Sequence, residues 1–316
     1  MRGISIAATG RSLPERVVTN GDMGKLVETS DDWIAGRTGI RTRRFCVRET
    51  VTDLAAAAAR QAMERAGVRP EEVCACVAAT VTPQALAPTL GCMVQRRLGL
   101  PESAMCFDIN VGCTGFMYGL QVVRGLLLQD PRPYALLIGA EALSRITDFT
   151  DRSTCVLFGD GAGAAVVALD EARPWASVLG ARGDEEALFI DGPGGCQPFI
   201  RMDGKAVYRF AVETVPRCAS QVLEQAGAAL EAVDWFVLHQ ANRRIIESVA
   251  KRLGAPLEKF YQNMDRYGNT SAASIPIALD EMSEAGVLRR GQKVLCLGFG
   301  AGLTWGGALL EWGTKG

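Results

Sequence analysis

Short runs of β-branched and small apolar residues alternate along this chain with longer stretches whose apolar positions recur every three to four residues. Residues 73–80 (VCACVAAT) and 134–139 (YALLIG) are apolar without alternation, as strands covered on both faces are, and 105–110 (MCFDIN) reads as a further strand. Helical spacing follows at 88–98 and, from Cys113, to 128. Strands and helices in this order predict parallel β-α-β units, with helices packed on a sheet.

A similar order recurs downstream. Residues 234–240 (DWFVLHQ) predict a strand and loop, 242–253 a helix, 271–284 another helix, and 293–298 (KVLCLG) a strand matching 134–139. Both halves close on a glycine-rich turn into an apolar run, at 158–167 and 299–310. The pattern predicts an internal duplication, with halves at 1–172 and 173–316. The run Gly159-Asp-Gly-Ala-Gly is not a dinucleotide loop. An apolar strand follows it where a helix would be needed, and the GxGxxG spacing is absent.

Composition narrows the class. With 48% hydrophobic and 22% charged residues, the 316-residue chain reads as a folded globular protein. A net charge of −1 gives no overall attraction to nucleic acid or an anionic membrane. The longest apolar stretch, 111–128, is interrupted by Gln121 and Arg124, and the N-terminal apolar run is too short for a secretory signal. These features predict a cytoplasmic protein that binds neither nucleic acid nor membrane. The ten cysteines show no framework spacing, and one histidine without a Cys-x-x-Cys pair argues against a metal site.

Three residues stand out as chemistry. Cys113 lies at a strand-to-helix turn between Gly112 and Gly115, where a helix N-terminus carrying roughly half a positive charge favours a thiolate. A buried structural cysteine fits the same residue. His239, the only histidine, ends a strand and precedes a helix, though a structural histidine can sit there too. Asn269 reads equally as a turn residue, a helix cap or a hydrogen-bond donor. All three fall in loops after strands, where α/β sheets place their ligands.

Taken together, the segments 108–116 (DINVGCTGF), 239–242 (HQAN), 268–276 (GNTSAASIP) and 299–306 (FGAGLTWG) resemble those of β-ketoacyl-acyl-carrier-protein synthase III, in the thiolase superfamily. Segments 28–34 (ETSDDWI) and 143–152 (LSRITDFTDR) agree with it. The resemblance implies a five-layer α-β-α-β-α fold, a homodimer, and condensation of an acyl-CoA primer with malonyl-acyl carrier protein to give 3-oxoacyl-acyl carrier protein. It further implies Cys113 as the acylated nucleophile, with His239 and Asn269 donating to the enolate formed by decarboxylation. Backbone N–H groups of Cys113 and Ala301 would form the oxyanion hole. Ala301 replaces a glycine common in the family, which keeps the donor as long as φ there is not positive.

By the same resemblance Thr29, Trp33, Arg37, Arg152 and Asn242 bind CoA, with Trp33 and Arg152 flanking the adenine. The neighbouring Asp31 and Asp32 suggest a surface loop for Trp33. Arg244 and Lys251, on one exposed face of the helix at 242–253, would dock the carrier protein. Phe299 and Ala87 would belong to the acyl pocket. Ala87 stands where many relatives carry a phenylalanine that reaches into the partner's pocket, so a wider primer range is expected. Acyl-CoA is then a substrate, and no metal or other cofactor is expected. Two rivals remain: a specialised-metabolism relative that uses other thioesters, and a catalytically silent CoA-binding scaffold.

Overall fold

The computed structural model describes residues 2–192 and 195–313. Its first half opens with strand β1 (Arg2–Ser12), then β2 (Arg16–Thr19), paired antiparallel with β3 (Thr42–Phe45) around helices α1 (Asn20–Met23) and α2 (Asp31–Thr38). Helix α3 (Val51–Ala66) leads to β4 (Val73–Ala79), α4 (Leu90–Leu98), β5 (Met105–Ile109), α5 (Gly115–Leu127) and β6 (Tyr134–Ala142). The short α6 (Arg152–Cys155) and the long β7 (Asp160–Pro174) follow. These strands build one sheet in the order β1-β7-β6-β4-β5, with β4 parallel to both its neighbours.

The second sheet is β11-β12-β13-β8. Its strands are β8 (Ser177–Asp184), β11 (Trp235–Leu238), β12 (Lys293–Gly300) and β13 (Gly302–Glu311). A two-stranded ribbon, β9 (Leu188–Phe189) and β10 (Arg201–Met202), precedes helix α7 (Gly204–Ala226). Helices α8 (Arg243–Leu253), α9 (Met264–Tyr267) and α10 (Ser274–Glu284) lie between β11 and β12 in sequence.

The unbroken apolar runs are explained by burial on both strand faces. Cys76 and Ala78 of β4 face the cluster under α3 and α4, whereas Cys74 and Val77 face a cluster shared with the second sheet. In β12, Val294 and Cys296 join that shared cluster, and Leu295 and Leu297 turn to the cluster under α7 and α8. Helices α5 and α10 each touch both sheets. The result is the five-layer α-β-α-β-α order, α5 and α10 forming the middle layer. Helix α5, buried along most of its surface, is apolar nearly all round. By contrast α8, on the outside, buries Ile245, Ile246, Val249 and Ala250 on one face only.

Two contacts bring the second half's loops against the first sheet. A Cβ on Gly139 of β6 would stand 2.3 Å from the Ala272 carbonyl oxygen, so only glycine permits that approach. The Asn269 backbone is itself pinned across the halves, its N–H donating to Leu157 O at 2.8 Å and its carbonyl accepting from Gly159 N at 2.9 Å.

Local differences from the sequence expectation are small. The helix expected from Pro88 begins at Leu90, with the Thr89 side chain capping it. Trp33 lies in a helix, since the Ser30 hydroxyl accepts the Trp33 N–H as an N-cap and Asp31 and Asp32 occupy the first turn. Acidic residues flag a helix start as readily as a loop, which is why that expectation failed. No described helix is long and apolar enough to cross a membrane.

Candidate active site

A cavity of about 830 Å³ runs from an exposed rim to a buried floor. Cys113, His239, Asn269 and Phe299 line its inner part, and Trp33, Arg37, Arg152, Asn242 and Arg244 its outer part. The three residues that head the sequence-based candidates therefore converge, although they come from different loops and both halves.

Cys113 sits in a single 3₁₀ turn just ahead of α5, after Gly112, whose φ is +51°. A non-glycine residue would be strained at that angle, so Gly112 sets how the chain turns from β5 into the helix. Gly300 lies behind Cys113, where an added Cβ would approach Cys113 Cβ to 2.9 Å. Burial pushes the Cys113 thiol up to about 12, the Ser271 hydroxyl opposing it and the Glu141 carboxylate adding to it. Desolvation of the charged form is the cause, and it acts against the pull of the helix N-terminus toward thiolate.

His239 is 2% exposed, and burial pulls its imidazole down to about 3, so the ring is neutral near pH 7. Its Nδ1 lies 2.7 Å from Ser274 Oγ, and its ring forms a T-shaped pair with Phe299, centroids 5.3 Å apart and planes at 67°. The Asn269 side-chain oxygen accepts the Ser271 N–H at 2.9 Å. That bond assigns the amide orientation and leaves the NH₂ group as the free end. The floor therefore combines a thiol, a neutral imidazole and a carboxamide donor. Ala301 is not among the described residues with positive φ, so its backbone donor keeps an ordinary conformation.

At the rim, the guanidinium carbons of Arg37 and Arg152 both lie 4.9 Å from the centre of the Trp33 ring. Stacked on the indole, Arg152 also donates to Glu28 O at 2.9 Å, so it must give up that bond and swing aside for any ring to enter between them. Asn242 caps α8 by accepting the Arg244 N–H at 2.9 Å. Arg244 in turn donates to Gly36 O at 3.1 Å. Lys251 is exposed on the same helix and lies away from the cavity lining. Thr29 also lies outside the lining, its Oγ1 buried without a partner among the described residues. Ala87 is exposed and does not reach this chain's cavity.

Sequence reasoning assigned no role to Glu141, Ser271 or Ser274. Glu141 is fully buried on β6, accepts from Thr82 Oγ1 at 2.6 Å and Val81 N at 3.1 Å, and is pushed up to about 7 by burial. Its signal was a lone carboxylate in an apolar strand. Both serines lay in plain view within the segment 268–276, but nothing in their spacing shows which atoms they meet. The descriptions of 3-oxoacyl-[acyl-carrier-protein] synthase III match residues 107–183, and those of its C-terminal part residues 223–312. The β-ketoacyl-[acyl-carrier-protein] synthase III of Clostridium acetobutylicum is 42% identical over 324 residues, covering 99% of each chain. The crystal structure of 3-oxoacyl-[acyl-carrier-protein] synthase III from Aquifex aeolicus superposes with a TM-score of 0.93 at 43% identity, over 98% of this chain and 100% of that one. The priming β-ketosynthase of the R1128 polyketide pathway gives 0.93 at 34% identity, over 100% and 98%.

Proposed function

The chain belongs to the 3-oxoacyl-[acyl-carrier-protein] synthase III family, and on that premise we propose how its residues carry out a decarboxylative condensation of acyl-CoA with malonyl-acyl carrier protein. The supporting observation is that Cys113, His239 and Asn269 line one cavity. In the first step Cys113 Sγ attacks the acyl-CoA carbonyl. A carbon–sulfur bond forms, the CoA sulfur leaves, and the thiol proton ends on CoA. A thiol held up to about 12 makes proton loss concurrent with attack, with no standing thiolate.

In the second step malonyl-acyl carrier protein loses CO₂. The enolate oxygen accepts hydrogen bonds from the neutral His239 and the Asn269 amide, both donors in a water-poor site. The carbanion attacks the acyl-Cys113 carbonyl, whose oxyanion rests on the backbone N–H groups of Cys113 and Ala301. Collapse expels the Cys113 sulfur, which regains a proton, and 3-oxoacyl-acyl carrier protein departs. All groups in both steps come from the chain and its two thioester substrates, so acyl-CoA acts as a substrate and no further cofactor enters.

Trp33, Arg37, Arg152, Thr29 and Asn242 are assigned to the CoA moiety, and Arg244 with Lys251 to the acidic carrier protein. Residues 1–172 and 173–316 serve as duplicated halves, one supplying the nucleophile and the other the donors. The protein acts as a cytoplasmic homodimer. Strand β5 supports this: it is the sheet's edge, with Met105 39% exposed, and an uncovered apolar edge strand invites pairing. In such a dimer Ala87 would face the partner, its small side chain leaving room for branched or medium primers, as a priming ketosynthase needs.

Intact-mass measurement across acetyl-, isobutyryl- and octanoyl-CoA, followed by malonyl-acyl carrier protein, tests the reading. The acyl mass should appear on the chain, be absent from Cys113→Ala, and disappear as 3-oxoacyl product forms. A chain that gains no acyl mass from any primer is a scaffold, and the proposal falls.

A further inference from the structure

Ser274, the first residue of α10, is 2% exposed. Its Oγ stands 2.7 Å from His239 Nδ1 and 3.3 Å from the Gln240 backbone nitrogen. A backbone N–H can only donate, so Gln240 uses one lone pair of the hydroxyl. Among the described residues no other acceptor lies within hydrogen-bond distance of Ser274 Oγ, which leaves His239 Nδ1 as the acceptor for its O–H. With a proton on Nδ1, the hydroxyl would receive two donors and its own hydrogen would be buried without a partner. Buried polar groups rarely tolerate that.

The imidazole is otherwise held still. His239 N donates to Leu297 O at 2.8 Å, Phe299 packs against the ring in a T-shaped pair, and the Gln240 amide donates to Leu238 O and Tyr261 O. Ring orientation is thus set by packing and backbone, and the serine decides where the proton sits. We infer that Ser274 is a positioning residue that holds neutral His239 as the tautomer protonated on Nε2, the nitrogen left to the cavity.

This inference rests on the proposed reaction only for its consequence. A donor to a developing enolate oxygen must carry its hydrogen on the cavity side. The opposite tautomer would present a lone pair to that oxygen and repel it. Ser274 therefore makes His239 a hydrogen-bond donor in condensation and withholds it as a base toward the Cys113 thiol.

The chain's single histidine makes the test direct. Full-length protein labelled with ¹⁵N-histidine gives one imidazole spectrum. It should show Nε2 bearing the hydrogen and Nδ1 as a hydrogen-bonded acceptor. A hydrogen on Nδ1 in the unsubstituted protein overturns the inference, whatever any variant does. Ser274→Ala should move the population toward mixed tautomers and slow condensation on acyl carrier protein by about tenfold or more, as loss of a histidine-orienting partner does. Acylation of Cys113 by acyl-CoA should stay within about threefold, because that step does not use the donor. Ser274→Thr, which keeps the hydroxyl, should retain the original tautomer. A Ser274→Ala protein with unchanged tautomer and unchanged condensation rate also overturns the inference. A protein that shows the Nε2–H tautomer yet never acylates Cys113 would instead sink the reaction proposed above and leave the serine's role standing.

Discussion

The turn that carries Cys113 and the loops that carry His239 and Asn269 are built by opposite means. Around Cys113 the chain omits side chains: Gly112 takes positive φ against Ala301, Gly115 faces Ala79, and Gly300 backs the thiol. Around His239 and Asn269 it adds polar partners. Ser274 meets the imidazole, Ser271 N holds the Asn269 amide, and Gln240 bridges Leu238, Tyr261 and Asn263. One region is positioned by crowding, the other by hydrogen-bond satisfaction. A substitution should therefore fail by displacement in the first and by orphaned polar groups in the second.

The largest expected effect separates the two regions chemically. His239→Ala and Asn269→Ala should each lower the condensation rate by about 10²–10³, the usual loss for a donor to a developing oxyanion. Both should still form acyl-Cys113 on intact-mass analysis. Loss of acylation in either variant would mean that the donors also serve the first step.

Next comes the crowded side. Gly300→Ala puts a Cβ within 2.9 Å of Cys113 Cβ and 3.0 Å of its nitrogen. Such a shift of the nucleophile should slow acylation by about 100-fold, measured as the pre-steady-state rate of mass gain. An unchanged acylation rate would show that the turn can yield, and the contrast with the donor loops would then dissolve.

Smaller effects belong to stability. Glu141→Ala leaves the Val81 N–H and the Thr82 hydroxyl without their carboxylate partner, at a cost of about 1–3 kcal/mol in urea unfolding. Glu141→Gln should cost less, since an amide oxygen can still accept from one of them.

A pH dependence completes the set, in which two buried groups oppose each other. Folded His239 titrates near 3 against 6.5 unfolded, so the unfolded chain binds more protons in that window and acidification destabilises the fold. Folded Glu141 titrates near 7 against 4.5. Here the folded chain binds more protons, and raising the pH from 4.5 to 7 is destabilising. The stability of Glu141→Gln relative to the parent should consequently improve as pH rises through 4.5–7, as unfolding midpoints in urea would report. A flat difference would rule out the buried carboxylate as the source.

Much of this was readable in advance, for a physical reason. Strands buried on both faces must be continuously apolar, so 73–80 and 293–298 announced themselves. Glycines flanking a cysteine, with a lone histidine and an asparagine after later strands, marked three loops. The expected helix at 242–253 also held, with Ile245 and Val249 on its buried face. What misled was local chemistry with two meanings. Asp31 and Asp32 can begin a helix as well as a loop.

The chain by itself pointed to the strands, the helices, the recurring order of elements and three candidate side chains, because these follow from periodicity and residue type, whereas the five-layer arrangement was expected from the family resemblance. Tertiary structure alone decided how those side chains behave. Solvent exclusion between two sheets raised the thiol and neutralised the imidazole, and a serine far from His239 in sequence came to face its Nδ1. Ionisation and tautomer depend on what surrounds an atom in space, and no spacing along the chain encodes that.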